Sequence, residues 1–99
     1  MTSEAFGLIG HIKVKPGQRS ALAAILAEGN DRMPGCLSYV VAEDVSDPDG
    51  LWVTEVWRDQ ASHQASLELP SVREAIDRGR PLIVAFDAFH ETRPIGGVG

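Results

Sequence analysis

The sequence holds a single cysteine, Cys36. No intrachain disulfide can form, and a CxxC metal or redox site is excluded. This usage fits a reducing cytoplasm. Positive charge is also scarce: nine Lys and Arg stand against fourteen Asp and Glu, a net charge of −5. Nucleic-acid domains usually carry a basic stripe, so a phosphate backbone is not an expected partner. No apolar run approaches the ~20 residues that span a bilayer, and Met1-Thr2-Ser3-Glu4 lacks the basic start of a secretory leader. Motifs for nucleotides, hydrolysis and metals are missing too. No GxGxxG or GxxxxGK[ST] occurs, no G-x-S-x-G surrounds Ser20, Ser38, Ser62 or Ser66, and His11, His63 and His90 have neither HExxH nor HxH spacing. The expectation is a protein with no cofactor and no metal.

What is present is the composition of a globular domain. The chain is 43% hydrophobic and 23% charged, which argues against disorder, collagen-like repeats and a coiled coil. Its 99 residues make one domain, residues 1–99, because a single core organises ~100 to 200 residues. A monomer this small buries only roughly 60 to 70% of its unfolded surface, so any extra apolar face calls for a partner.

Residues 5–14 alternate at period two, with Phe6, Leu8, Ile12 and Val14 on one face and His11 and Lys13 on the other, which predicts a first strand. Lys15-Pro16-Gly17 ends it, with Pro16 suited to a helix's first turn. Leu22, Ile25 and Leu26 at helical spacing predict a helix to about Glu28, stopped by Gly29-Asn30. After the loop Asp31-Arg32-Met33-Pro34-Gly35, residues 37–45 set Leu37, Tyr39, Val41 and Val45 on one face of a second strand. The turn Ser46-Asp47-Pro48-Asp49-Gly50 returns the chain antiparallel as a third strand, Leu51 to Arg58. Asp59 caps a short helix over 60–69 that Pro70 breaks. Ser71-Val72-Arg73-Glu74 has capping-box spacing for another helix, and Gly79 suits a left-handed stop. Residues 82–89 form the last strand before the tail Gly96-Gly97-Val98-Gly99.

The order β-α-β-β-α-β predicts an α+β, ferredoxin-like fold, an antiparallel sheet with its helices on one face. Leu51 to Trp57 and Leu82 to Phe86 are apolar on both sides, which indicates burial of both sheet faces. Helices cover only one. A homodimer packing sheet against sheet, a dimeric α/β barrel, is therefore expected.

Within strand three, Leu51, Val53, Glu55 and Trp57 share a face, so a carboxylate stands in an apolar row. Such a group finds a partner or has its pKa raised, which suits an acid or base; a structural hydrogen bond at the sheet rim explains it equally. Histidine as a residue type titrates near neutrality, so His63, on the short helix, is a candidate base for a phenol-like proton, or else a partly exposed helix residue or a structural partner of Glu55. His11 and His90 are weaker candidates, structural or solvent-facing. Trp52, Trp57, Tyr39, Phe86 and Phe89 are of the kind that line an aromatic pocket or simply pack a core.

At Met33-Pro34-Gly35-Cys36-Leu37, Glu55-Val56-Trp57-Arg58-Asp59, Ser62 to Leu67, and Pro70 to Ile76, the chain resembles the antibiotic biosynthesis monooxygenase family, which includes proteins provisionally assigned as quinol monooxygenases. The resemblance spans nearly the whole chain. It implies a dimeric α+β barrel with a pocket between sheet and helices, and oxygenation of a small phenolic or quinol ligand by molecular oxygen without flavin, haem or metal. It implies His63 and Glu55 as catalytic residues and Trp57, Tyr39 and Ser66 as substrate-binding ones. Many members have histidine where this chain has Ser66, and His63 stands one helical turn earlier. Related haem-degrading enzymes would want an asparagine near Gly10, a tryptophan near Ser66 and a histidine near Ile76, all missing here. A non-catalytic module for an aromatic metabolite, and an oxygen-independent isomerase or lyase, are the alternative functions on this fold.

Overall fold

The computed structural model describes residues 4–29 and 33–97. Met1-Thr2-Ser3, Asn30 of the helix stop, Asp31 and Arg32 of the next loop, and Val98-Gly99 of the tail lie outside the described residues. In chain order the elements are β1 (Phe6–Val14), α1 (Arg19–Gly29), β2 (Cys36–Glu43), β3 (Gly50–Trp57), α2 (Gln60–Ser66), α3 (Pro70–Gly79), a 3-10 turn (Arg80–Leu82) and β4 (Ile83–Thr92). The strands lie in the order β2-β3-β1-β4, and every neighbouring pair is antiparallel. This is the expected ferredoxin-like α+β architecture.

Alternation sets the faces. Pairing of Phe6 with Trp57, Leu8 with Glu55, Gly10 with Val53 and Ile12 with Leu51 puts these residues under the helices. The core gathers there: Ile12, Val14, Leu22, Leu51 and Val53 are buried together. Helix α1 lies beside α3, close enough that a Cβ on Gly79 would come 3.0 Å from Leu22 Cδ1. On the other face Ile9, Trp52 and Val40 remain 36%, 36% and 50% exposed.

Several local expectations are corrected. Pro16 does not enter a helix. It occupies the second position of a turn closed by Gln18 N–H to Lys15 O, with Gly17 at φ +77 in the third, the pattern of a type II turn. Strand β2 ends at Glu43, leaving Val45 fully exposed in the turn. Leu37 does not share a face with Tyr39 and Val41, because Cys36 pairs with Trp57 and Ser38 with Val56, so Leu37 is the extra residue of a bulge.

The helix after β3 is shorter than 60–69. It ends at Ser66 and tightens through i to i+3 bonds onto the carbonyls of Gln64, Ala65 and Ser66, since Leu69 before Pro70 is extended (φ −67, ψ 134). Pro70 thus ends the preceding helical stretch and itself opens α3, and no side chain caps that start, so the capping box at Ser71 does not form. Gly79 is helical (φ −79) and leads into the 3-10 turn; its role is close contact with α1. Strand β4 continues to Thr92.

Candidate active-site cavity

Two adjoining cavities open between the sheet and the helices. The larger, about 190 Å³, has walls from Leu8, Ile12, Leu22, Val53, Ile83, Phe86 and Phe89. The smaller, about 120 Å³, is bounded by Met33, Trp57, His63, Ser66 and Val72. Tyr39, Glu55, Leu26, Ala75 and Ile76 line both. Tyr39 and Glu55 therefore stand between an almost wholly apolar chamber and one with polar groups. They are opposite each other across the β2–β3 ladder, and Leu8 faces Glu55 from β1.

The polar chamber is assembled by turn and cap chemistry. Cys36 N–H bonds to Met33 O at 3.1 Å and Gly35 has φ +82, so Pro34-Gly35 forms a type II turn. That turn lies against α2, where a Cβ on Gly35 would meet Ser62 Oγ at 2.5 Å. Asp59 caps α2 by accepting from the Ser62 N–H at 2.7 Å, as expected from sequence. These contacts fix the helix that carries His63.

Glu55 is partly buried, and Trp57 Nε1–H donates to its Oε1 at 2.9 Å. Burial pushes the carboxyl above its ordinary value of 4.5, while the Trp57 hydrogen bond and the nearby His63 pull it back. Trp57 is 1% exposed. The His63 ring packs 5.4 Å from both Phe6 and Trp57, meeting Trp57 edge-on. His63 acts on Glu55 through charge, and the Glu55 hydrogen bond goes to Trp57. Ser66 is buried in the wall with its hydroxyl donating to the His63 carbonyl at 2.5 Å. The Tyr39 phenol is pushed well up by burial and by Glu55 and Cys36, so it stays protonated at neutral pH.

The catalytic and substrate-binding candidates His63, Glu55, Trp57, Tyr39 and Ser66 thus line one cavity. Phe86 and Phe89 join the larger chamber at its rim, 60% and 59% exposed. Trp52 is on the opposite face of the sheet, its ring edge-on to His11 at 4.6 Å. His90 is exposed. His11 is not solvent-facing: at 6% exposed it sits between Asp87 and Asp44. Its partners come from distant segments, and their only local signal was the acidic turn after β2. Among the described residues no three His, Cys, Asp or Glu side chains are placed to hold a metal ion.

Comparison with known proteins matches the antibiotic biosynthesis monooxygenase family profile to residues 5–78. A solved structure from Chloroflexus aurantiacus J-10-fl, provisionally named an antibiotic biosynthesis monooxygenase, is 62% identical with a TM-score of 0.94, covering 96% of this chain and 97% of that one. Another with the same provisional name, from Nitrosomonas europaea, has a TM-score of 0.88 at 14% identity over 100% and 98% of the two chains, a likeness of fold. An uncharacterized protein of Synechocystis sp. is 31% identical over 77 residues, 75% of this chain and 52% of the relative. The chain thus spans about half the length of that curated relative.

Proposed function

Because the chain belongs to the antibiotic biosynthesis monooxygenase family, we propose that its paired cavities bind a small phenolic or quinol substrate and insert one atom of molecular oxygen into it without a cofactor. The carrying observation is the convergence of His63, Glu55, Trp57 and Tyr39 on one cavity that continues into an apolar chamber. A flat ring fits beside Trp57 and His63, and apolar substituents fit against Leu22, Val53 and Phe86.

His63 takes the phenolic proton. The resulting phenolate is electron-rich enough to reduce oxygen by one electron, and the two radicals combine as a carbon–oxygen bond. Loss of water leaves the oxygenated quinone: a quinol and one O2 give a hydroxyquinone and one water, so the substrate supplies all four electrons. The protein's work is to desolvate, orient and deprotonate. Glu55, held by Trp57, brings a carboxylate to the cavity wall within electrostatic reach of His63. Partial burial and a raised pKa also make Glu55 a second candidate base.

The working unit in this reading is a homodimer, supported by the exposed Ile9, Val40 and Trp52 on the sheet face away from the helices. Free Cys36 supports a cytoplasmic setting.

Oxygen uptake by chelator-treated protein over a panel of quinols is the test. His63→Ala is expected to lower kcat by roughly 10² to 10⁴. Unchanged turnover in that variant, with loss in Glu55→Gln, reassigns the base to Glu55. Tight ligand binding with no oxygen uptake replaces the enzyme with a binding module, and product formed anaerobically selects an isomerase or lyase.

A further inference from the structure

Strand β4 turns Ile83, Phe86 and Phe89 toward the larger cavity, at a spacing of three residues that a regular strand cannot present on one face. Two interruptions of its pairing with β1 make this possible. Ala88 pairs with His11 and Phe86 with Ile12, leaving Asp87 as an extra residue; Ala85 pairs with Lys13 and Ile83 with Val14, leaving Val84 as another. The first bulge is tied down on the far side of the sheet. His11 Nδ1 lies 2.5 Å from Asp87 Oδ1, and His11 Nε2 lies 2.9 Å from Asp44 Oδ2 in the β2–β3 turn.

We propose that His11 and Asp87 are positioning residues for the cavity: their contact pins the bulge at Asp87, and the bulge turns Phe86 onto the cavity wall. The inference rests on the reading of that cavity as an aromatic-binding site. A strand without the bulge would set Asp87 opposite Ile12, bringing a carboxylate to the cavity face and sending Phe86 to the other side. Phe86 is 60% exposed, so its own burial gives little hold on the register. The charge-assisted contact beneath, from a histidine 6% exposed, is the stronger constraint.

Both ring nitrogens donate to carboxylates only when the imidazole is doubly protonated. Asp87 on β4 and Asp44 in the turn favour that state and raise the His11 pKa, against the effect of its burial. The other charged groups around it are already engaged. Lys13 on the same strand binds Asp47 at 2.6 Å, and Arg19 of α1 donates to the carbonyls of Asp44 and Asp47. When His11 loses its second proton, one carboxylate loses its donor and the bulge loses part of its anchor.

The test combines strand register with ligand uptake. Asp87→Asn removes the charge at a half-exposed position and leaves the core untouched. In the unaltered protein, cross-strand nuclear Overhauser contacts are expected to place Ile12 opposite Phe86; in Asp87→Asn a second set with Ile12 opposite position 87 is expected. Calorimetric affinity for 2-naphthol is expected to fall about five- to tenfold in Asp87→Asn and in Phe86→Ala, with no further loss in the double variant. As pH rises above 6.5 and through the raised His11 value, the affinity of the unaltered protein declines, and Phe86→Ala lacks that decline. A register unchanged by Asp87→Asn overturns the proposal whatever the affinity does, and so do additive losses. Failure of the unaltered protein to bind 2-naphthol strikes the functional reading instead, because the register result decides the positioning pair without a ligand.

Discussion

The indole N–H of Trp57 donates to the carboxylate of Glu55 two residues earlier on β3, at 2.9 Å. Residues at that spacing share a strand face, so the tryptophan that closes the cavity floor also steadies its one partly buried carboxylate. The hydrogen bond favours the charged form and burial disfavours it, with burial the larger effect.

Glu55→Gln should therefore stabilise the protein near neutrality. The folded-state pKa is raised, so the folded protein holds the proton more tightly than the unfolded chain, and stability falls as pH rises from 4.5 through the raised value. Thermal midpoints are expected to favour Glu55→Gln by a few degrees at pH 7 and to converge below pH 4.5. Trp57→Phe, which deletes the donor, should move the Glu55 carboxyl further up, as read from its side-chain carbon resonance during a pH titration.

Gly35→Ala should destabilise the fold by about 1–3 kcal/mol. Its φ of +82 disfavours a side chain, and the added Cβ would meet Ser62 Oγ at 2.5 Å. Because Ser62 precedes His63 on α2, urea unfolding should show the stability loss, and the His63 ring resonances should shift with it.

His11 predicts the opposite pH trend from an ordinary salt-bridged carboxylate. Hydrogen bonding to Asp87 is the largest influence raising its pKa above 6.5. Its stabilising contribution is fully present below 6.5 and is lost as pH rises through the raised folded value. Thermal midpoints of the unaltered protein should decline on that alkaline side, and those of His11→Gln should not.

Sedimentation at micromolar concentration should find a homodimer, and Trp52→Asp should shift it to monomer. Trp52 is 36% exposed, opposite His11 on the open sheet face that also carries Ile9, so a carboxylate there would have to lose its water when two sheets meet. A sedimentation profile of monomer alone for the unaltered chain removes the dimer from the proposed function.

The fold and the cavity's membership were legible because each rests on a short-range pattern. Period-two apolar residues marked β1 and β3, the acidic Pro-Asp-Gly turn marked the hairpin, and Asp59 marked the start of α2. Glu55 stood out because it interrupts an apolar row. The errors have equally physical causes. Strict alternation put Leu37 with Tyr39, whereas a bulge at Leu37 changes the phase. By general tendency Pro16 suits a helix's first turn and Pro70 ends a helix at residue 69, but the positive φ of Gly17 and the extended backbone of Leu69 decide their actual places.

Local residue pattern was enough for the antiparallel four-stranded sheet, the side on which its helices lie, and the conflict of a carboxylate on an apolar strand. All of these follow from spacing along a few consecutive residues. What surrounds His11 and what faces the larger cavity depend on how distant segments meet. His11 meets Asp44 and Asp87 across 33 and 76 residues of chain, and the two bulges in β4 bring Ile83, Phe86 and Phe89 to one wall. Strand register is set by contacts between segments, and local alternation carries no record of where one strand holds a residue more than its neighbour.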